Sequence, residues 1–254
     1  MTSPIASLSY FGRTEPFDLQ VARGLIGGHS SFSVFGYNPD VDTAEESIWP
    51  DGGTVPHPST ASVLSIVSTN AADDGSPAGT GAHTVFIEGL DANYGVVSES
   101  VTLNGTTPVS TVKSYMYINQ FYVTTVGSGG VNAGEITAKV DTTLYDLIAT
   151  GYNQRTTGHY CVPAGYTAYM TSGVITTGQV SGSTSVTAFL KQHGPDGVLR
   201  VGAVSTLNNG SVQYDFNPPY RIPEKNCIGA SVIGSATNNS ASSFFNIILI
   251  KNDH

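Results

Sequence analysis

Charged residues are scarce in this sequence. They make up 11% of its 254 residues, against about 25% in an average globular protein, and this scarcity excludes a coiled coil or helical bundle rich in Glu, Lys and Arg. Lys and Arg number 10 and Asp and Glu number 19, giving a formal net charge of −9. Because a negative chain repels a phosphate backbone and its few basic residues are scattered, we expect no nucleic-acid partner.

Long apolar runs are also lacking. No stretch approaches the roughly 20 apolar residues of a membrane-spanning helix, and no basic amphipathic segment is present, so we expect no membrane partner. Residues 1–4 are not a basic segment followed by an apolar run, so we expect no signal peptide. These absences predict a protein that is made or assembled in a cytoplasm.

Cysteine is nearly absent, with Cys161 and Cys227 as the two examples. Each lies in a short apolar run with a β-like pattern. A reducing cytoplasm keeps thiols unpaired, and a free cysteine packs as a small apolar residue. We therefore predict two buried free thiols. A disulfide between them and metal ligation are the less favoured alternatives.

What the chain does contain is Gly, Ser, Thr and Asn, with alternating apolar residues between turns. Candidate strands recur roughly every 8–15 residues, a spacing typical of sandwiches and jelly rolls rather than βαβ units. We predict an all-β protein with two antiparallel sandwich or jelly-roll-like blocks and an extended N-terminal arm. The predicted units are the arm (1–48), a first β-sandwich domain (49–141) and a second, jelly-roll-like domain (142–254).

The predicted arm has apolar residues but too few for a core of its own. Residues 17–22 alternate with a period of two, which predicts a strand. The arm must therefore lie on the body of the protein or on a neighbouring subunit. We expect the second arrangement, so that a chain without residues 1–48 folds but does not assemble. The candidate interface residues are Phe17, Leu19, Val21, Phe35 and Trp49.

Three local signals add detail to this pattern. Asn104-Gly105 predicts a type I′ hairpin, and Asn209-Gly210 predicts a second hairpin. Residues 142–151 are the one plausible short helix in the block, and they could equally be the end of a strand.

The sequence offers no catalytic constellation. It contains no GxSxG, HExxH, EF-hand or Walker A motif. Residues 110–113 match SxxK but precede a β-like run and lack the partner motifs, so we treat the match as chance. The six histidines show neither HxH nor HxxxH spacing. We expect no catalytic residues, no metal, no cofactor and no enzymatic activity.

Two features leave alternatives open. Asp73 and Asp74, with Asp91, could bind Ca²⁺, but Asp commonly caps turns through its side chain, which we favour here. The aromatic run at 115–122 has apolar residues on both faces, which favours a buried strand. An exposed platform for sugars is the alternative, as in carbohydrate-binding jelly rolls.

Several motifs resemble a family of structural proteins from tailed bacteriophages, especially marine and cyanobacterial ones. The matching segments are 17–24, 36–39, 48–53, 79–85, 89–91, 101–105, 132–136, 162–169 and 214–216. The resemblance implies a non-enzymatic virion protein, assembled in the host cytoplasm and located in the virion.

From this resemblance we expect a head decoration, or cement, protein that stabilises the capsid by bridging capsomers. It would be a homotrimer whose partners are the major capsid protein or other virion proteins. A neck, tail or fibre component is the alternative within the virion. A host-glycan-binding β-sandwich module is the alternative from another class.

Overall fold

A computed structural model describes residues 9–10, 13–179 and 184–252. These residues are almost entirely β, with one six-residue helix, α1 (Phe17–Ala22). The strands are β1 (Ser9–Tyr10), β2 (Arg13–Thr14), β3 (His29–Val41), β4 (Glu46–Ser47), β5 (Ser62–Ser68), β6 (Ala82–Leu90), β7 (Val96–Thr102), β8 (Val109–Tyr115), β9 (Tyr117–Val126), β10 (Ile136–Val140), β11 (Thr143–Ile148), β12 (His159–Cys161), β13 (Tyr166–Gly178), β14 (Val186–His193), β15 (Leu199–Leu207), β16 (Gly210–Ile222), β17 (Cys227–Gly234) and β18 (Asn239–Lys251). In the described part of the chain, no helix is long and apolar enough to cross a membrane.

Two antiparallel sheets enclose a core formed by the middle of the chain. One sheet has the order β11-β10-β5-β8 and the other the order β7-β6-β9. Apolar residues that alternate along each strand point between the sheets and are fully buried, among them Ile66, Val85, Ile87, Phe121 and Ile136. We call residues 49–157 the insert.

Two further antiparallel sheets form a second unit, which we call the main body, while β1 and β2 pair in a separate two-stranded sheet. The strand orders in the main body are β16-β13-β18-β3 and β12-β17-β14-β15, and the short strand β4 also pairs with β17. The alternation in β14 shows why these residues form strands, because Val186, Ala188 and Leu190 face the core while the residues between them do not. The core of the main body is separate from the core of the insert.

The insert leaves and re-enters the main body at one point. β4 and β12 both pair with β17, and the chain between them begins and ends side by side. The Ile48 amide donates to the Ala230 carbonyl at 3.0 Å, and the Gly158 amide donates to the Ile48 carbonyl at 2.9 Å. The insert thus interrupts one strand position of the main body, the position beside β17 that β4 and β12 share.

The predicted unit boundaries relate to this geometry in different ways. The boundary after residue 48 coincides with the exit of the chain into the insert. The boundary after residue 141 falls between β10 and β11, which pair with each other. The three-part division itself stays a prediction.

The N-terminal residues differ from the expected arm. β3 pairs with β18 from His29 opposite Ile250 to Val41 opposite Asn239, and Val34 and Val41 belong to the core of the main body. Residues 29–48 are therefore part of this chain's own fold. Residues 1–8, 11 and 12 of the predicted arm lie outside the described residues.

The strand predicted at residues 17–22 is wrong, because these residues form α1. Pro16 precedes the helix, and Gly24 ends it with a φ of 68°, a conformation that glycine adopts without a steric penalty. Val21 is buried against the fold while Phe17 is exposed. Six residues are too short for apolar spacing to separate a helix from a strand.

Both predicted hairpins are wrong for a shared reason. β7 and β8, which flank Asn104-Gly105, lie in different sheets, and so do β15 and β16, which flank Asn209-Gly210. Gly105 and Asn209 each have a positive φ, but their partners in the dipeptides do not, whereas a type I′ turn needs two such residues. These turns carry the chain from one sheet to the facing one. Residues 143–148 form β11, as the strand alternative predicted.

Candidate functional site

The five predicted interface residues are found in two environments. Phe17 and Leu19 are each 47% exposed and Phe35 is 38% exposed, whereas Val21 and Trp49 are each 2% exposed. The Trp49 indole N–H donates to the Gly52 carbonyl at 2.6 Å. Val21 and Trp49 pack within the chain, and Phe17, Leu19 and Phe35 remain available for contact.

Phe35 belongs to an aromatic surface on the outer side of β3 and β18. Phe244 lies directly opposite Phe35 in the register of the two strands, and their ring centroids are 5.7 Å apart. Tyr37, two residues along β3, points to the same side and is also exposed. We call these three residues the β3–β18 face. Strand alternation from Phe35 would have found Tyr37, whereas Phe244 joins them through pairing that the sequence does not show.

A second apolar surface lies along β15. This strand is at the edge of its sheet, and in the described ranges it pairs with β14 on one side. Val198, Leu199, Val201 and Val204 are each about half exposed. An exposed edge strand presents unpaired backbone groups and can add to another chain. No motif in the sequence marks these residues as a contact surface.

A buried polar network joins the insert to the main body. The Asn119 side chain, on β9, accepts from the Cys161 amide at 3.0 Å and donates to the Cys161 carbonyl at 2.8 Å. Arg155 donates to the Asn119 carbonyl at 2.8 Å and forms an ion pair with the fully buried Asp146. Asp146 also accepts from the Thr157 hydroxyl. The network fixes the position of the insert on β12.

The prediction that Cys161 and Cys227 are free thiols is wrong, because they form a disulfide. Both side chains are buried, as predicted. The two residues lie directly opposite each other on β12 and β17. Their proximity follows from the pairing of strands 66 residues apart, which local sequence patterns do not reveal.

Three histidines meet beside this disulfide. His57 lies in the insert between Pro56 and Pro58, His159 begins β12, and His193 ends β14. One ring nitrogen from each lies within 4.8 Å of the others. The ring centroids of His57 and His159 are 4.6 Å apart, and each lies about 6 Å from that of His193. We call these residues the histidine cluster.

Burial keeps these three rings neutral. Burial, together with the nearby charges of His193 and Arg155, lowers the pKa of His57 to about 3. Burial also lowers the pKa of His159 well below its usual range and lowers the pKa of His193. At pH 7 each ring therefore keeps a nitrogen lone pair that can accept a proton or bind a metal ion.

The aspartates near the turns and the aromatic run at 115–122 both have structural roles. The Asp73 carboxylate accepts from the Ser68 hydroxyl and from the amides of residues 82, 133 and 134. Asp91 accepts from the amides of Asn93 and Gly95. These carboxylates hold turns. In the aromatic run, Tyr115 and Phe121 are buried in the core of the insert, as a buried strand requires.

Comparisons with known proteins give little further information. No family model matches the chain, and no curated protein matches it. Three solved structures of infectious bursal disease virus show low similarity. The VP2 subviral particle has 8% identity over 88% of this chain and 72% of that chain, with a TM-score of 0.23. The Gx strain has 8% identity over 89% and 76%, with a TM-score of 0.22, and the Gt strain 11% over 94% and 83%, with a TM-score of 0.20. TM-scores this low carry no argument about function.

Proposed function

We propose that this chain is a non-enzymatic structural protein of a virus particle with a jelly-roll main body. The observation that carries the proposal is the strand order. The main body has eight strand positions, because β4 and β12 together occupy one position beside β17. When these positions are numbered along the chain, the strand orders of the two sheets are 1-8-3-6 and 2-7-4-5. This strand order supports a jelly roll, an architecture that viral capsid domains use repeatedly.

The finer proposal is that the protein decorates and stabilises a phage capsid by bridging capsomers, as a homotrimer bound to the major capsid protein or other virion proteins. The β3–β18 face and the exposed edge of β15 support it, because they offer apolar and backbone contacts on a chain with little charge. The disulfide is consistent with a location on the outside of a particle, where such bonds persist.

The copy number of the protein in purified virions tests this proposal. A decoration protein is present in hundreds of copies on the head, which quantitative mass spectrometry and cryo-electron microscopy of the particles would show. A few copies located at the neck, tail or fibre would replace decoration with the alternative virion role. Absence of the protein from purified particles would overturn the virion assignment itself.

Attachment in solution tests which surface makes the contact. A Phe35→Ser/Phe244→Ser double variant should no longer bind particles that lack the protein, while still unfolding in a cooperative transition. Val112→Ser is the control, because Val112 is an apolar residue of the insert that is 89% exposed. Full binding by the double variant would exclude the β3–β18 face as the contact.

A cleft favours the second candidate function, glycan binding. A cavity of about 460 Å³ lies between β3 and the insert, with Phe32, Tyr122 and Tyr160 among its lining residues. Glu88 and Gln120 also line it and are hydrogen-bonded to each other. Aromatic faces with a carboxylate and an amide suit a sugar. Binding to a glycan array that is lost in Tyr122→Ala would support this function.

A further inference from the structure

We propose that His57, His159 and His193 form a binding site for a divalent transition-metal ion of the Zn²⁺ class. Three imidazole nitrogens are a ligand set that Zn²⁺ accepts in proteins, with bonds of about 2.0–2.1 Å. A tetrahedral ion at that bond length needs nitrogens roughly 3.3 Å apart. Nitrogens within 4.8 Å of one another reach this spacing with small rotations of the rings.

The backbone holds the three rings in place. Pro56 and Pro58 flank His57, which restricts the backbone of the loop on both sides. His159 and His193 lie on the two strands that flank β17. Gly229 of β17 lies directly opposite His159, and a Cβ there would lie 3.2 Å from the Cδ2 atom of His159. The glycine leaves the space into which the His159 ring leans.

The ring nitrogens are available as ligands. In the described part of the chain, no hydrogen bond reaches a ring nitrogen of His57 or His193, and the His159 Nε2 atom has one weak contact, with the Cys161 sulfur at 3.8 Å. The charged groups around the cluster are paired, Arg155 with Asp146, Lys191 with Glu45, and Asp196 with Arg200. A cation in the cluster therefore meets no unpaired positive charge.

The cluster leaves one coordination position open. Among the described residues, no fourth His, Cys, Asp or Glu groups with these three. The rings line a cavity of about 440 Å³, together with Thr54 and Ser231. A water molecule from this cavity would complete the tetrahedron. The bound ion would tie the His57 loop of the insert to two strands of the main body.

Titration calorimetry with Zn²⁺ on the untagged, EDTA-treated full chain tests the site. We expect one ion per chain and a higher unfolding temperature when it is bound. His57→Gln and His193→Gln should each weaken binding by more than about tenfold, since loss even of a residue that supports a ligand costs that much. His29→Gln is the control, because His29 lies outside the cluster and should keep wild-type affinity. No Zn²⁺ binding by the folded wild type, or equal binding by all three variants, would overturn the proposal.

The neighbouring sulfurs provide a rival site that the same protein can report. His159, Cys161 and Cys227 also group together, and reduction of the disulfide would free two thiols as ligands. Co²⁺ distinguishes the two sites, because thiolate ligands add an intense charge-transfer band in the near ultraviolet. We expect a nitrogen-ligand spectrum from the oxidised chain and from a Cys161→Ala/Cys227→Ala variant. Binding that appears only after reduction and is lost in that variant would reject the histidine site.

Discussion

Asn119 acts at the scale of a single residue as a substitute for strand pairing. Its side-chain amide binds both the N–H and the C=O of Cys161, as a neighbouring strand would. Both backbone groups are buried between the insert and the main body. Their hydrogen bonds therefore depend on this one side chain.

Asn119→Ala should lower the free energy of unfolding by about 2–4 kcal/mol, because it leaves two buried backbone groups without partners at about 1–3 kcal/mol each. Urea unfolding followed by circular dichroism measures the change. Gln120→Ala is the matched control on the same strand, since Gln120 is exposed, and it should change stability by less than about 0.5 kcal/mol. Equal effects of the two variants would contradict the role given to Asn119.

Residue identity alone does not separate surface from core in this chain. Phe17, Phe35 and Trp49 are all large and apolar, yet Trp49 is buried and the other two are exposed. The histidine cluster is a stronger example, since its members come from a loop and two strands that meet only in the folded chain. No short motif joins residues 57, 159 and 193, so histidine spacing could not have predicted the cluster.

At the scale of the element, two close glycines allow the insert to leave the main body. A Cβ at residue 36, in β3, would lie 2.4 Å from the Ile48 carbonyl oxygen and 2.7 Å from both the Cα and the nitrogen of Gly158. All three contacting atoms belong to the backbone. β3 can cross the junction only where it has no side chain.

Gly36→Ala should therefore destabilise the chain by about 3 kcal/mol or more, because backbone must move to make room. Differential scanning fluorimetry of the purified variants measures the loss. Gly27→Ala is the control, because a Cβ there meets no atom within 4 Å. An unchanged melting temperature for Gly36→Ala would show that the junction is looser than described.

The disulfide stabilises the pairing of β12 with β17 by closing a long loop. For a separation of 66 residues, restriction of the unfolded chain contributes about 4 kcal/mol. Addition of a reductant should lower the free energy of unfolding by up to that amount. The Cys161→Ala/Cys227→Ala variant should have the same free energy of unfolding with and without reductant. If the reductant lowers the stability of this variant as much as that of the wild type, it acts at another site.

Alternation predicted the existence of many strands because burial of one face is a local property. In β5, β6 and β14 the buried residues recur at every second position over most of the strand, which is the local pattern that predicts a strand. It could not predict which strands are neighbours, since β3 pairs with β18 across nearly the whole chain. The two turns that join facing sheets were assigned to hairpins for the same reason.

At the scale of the whole molecule, residues 29–48 are part of the main body. Deletion of residues 1–48 should prevent folding, because it removes β3 and with it Val34, Val41 and Ile48 from the core. Deletion of residues 1–28 should leave a folded protein, since every strand of the insert and main body remains. Circular dichroism and thermal unfolding distinguish the two. A cooperative unfolding transition in the chain without residues 1–48 would refute this assignment.

The insertion has a consequence for the order in which the protein acquires its structure on the ribosome. The insert is complete once residue 157 has emerged, and its strands pair among themselves, so it can fold while the rest is being synthesised. The main body must wait, because β3 and β4 find their partners only in β18 and β17. Until then β3 is an unpaired strand with apolar residues, open to association with other nascent chains. Between the synthesis of residue 41 and that of residue 251, β3 is therefore the segment to which a chaperone for extended apolar segments would bind.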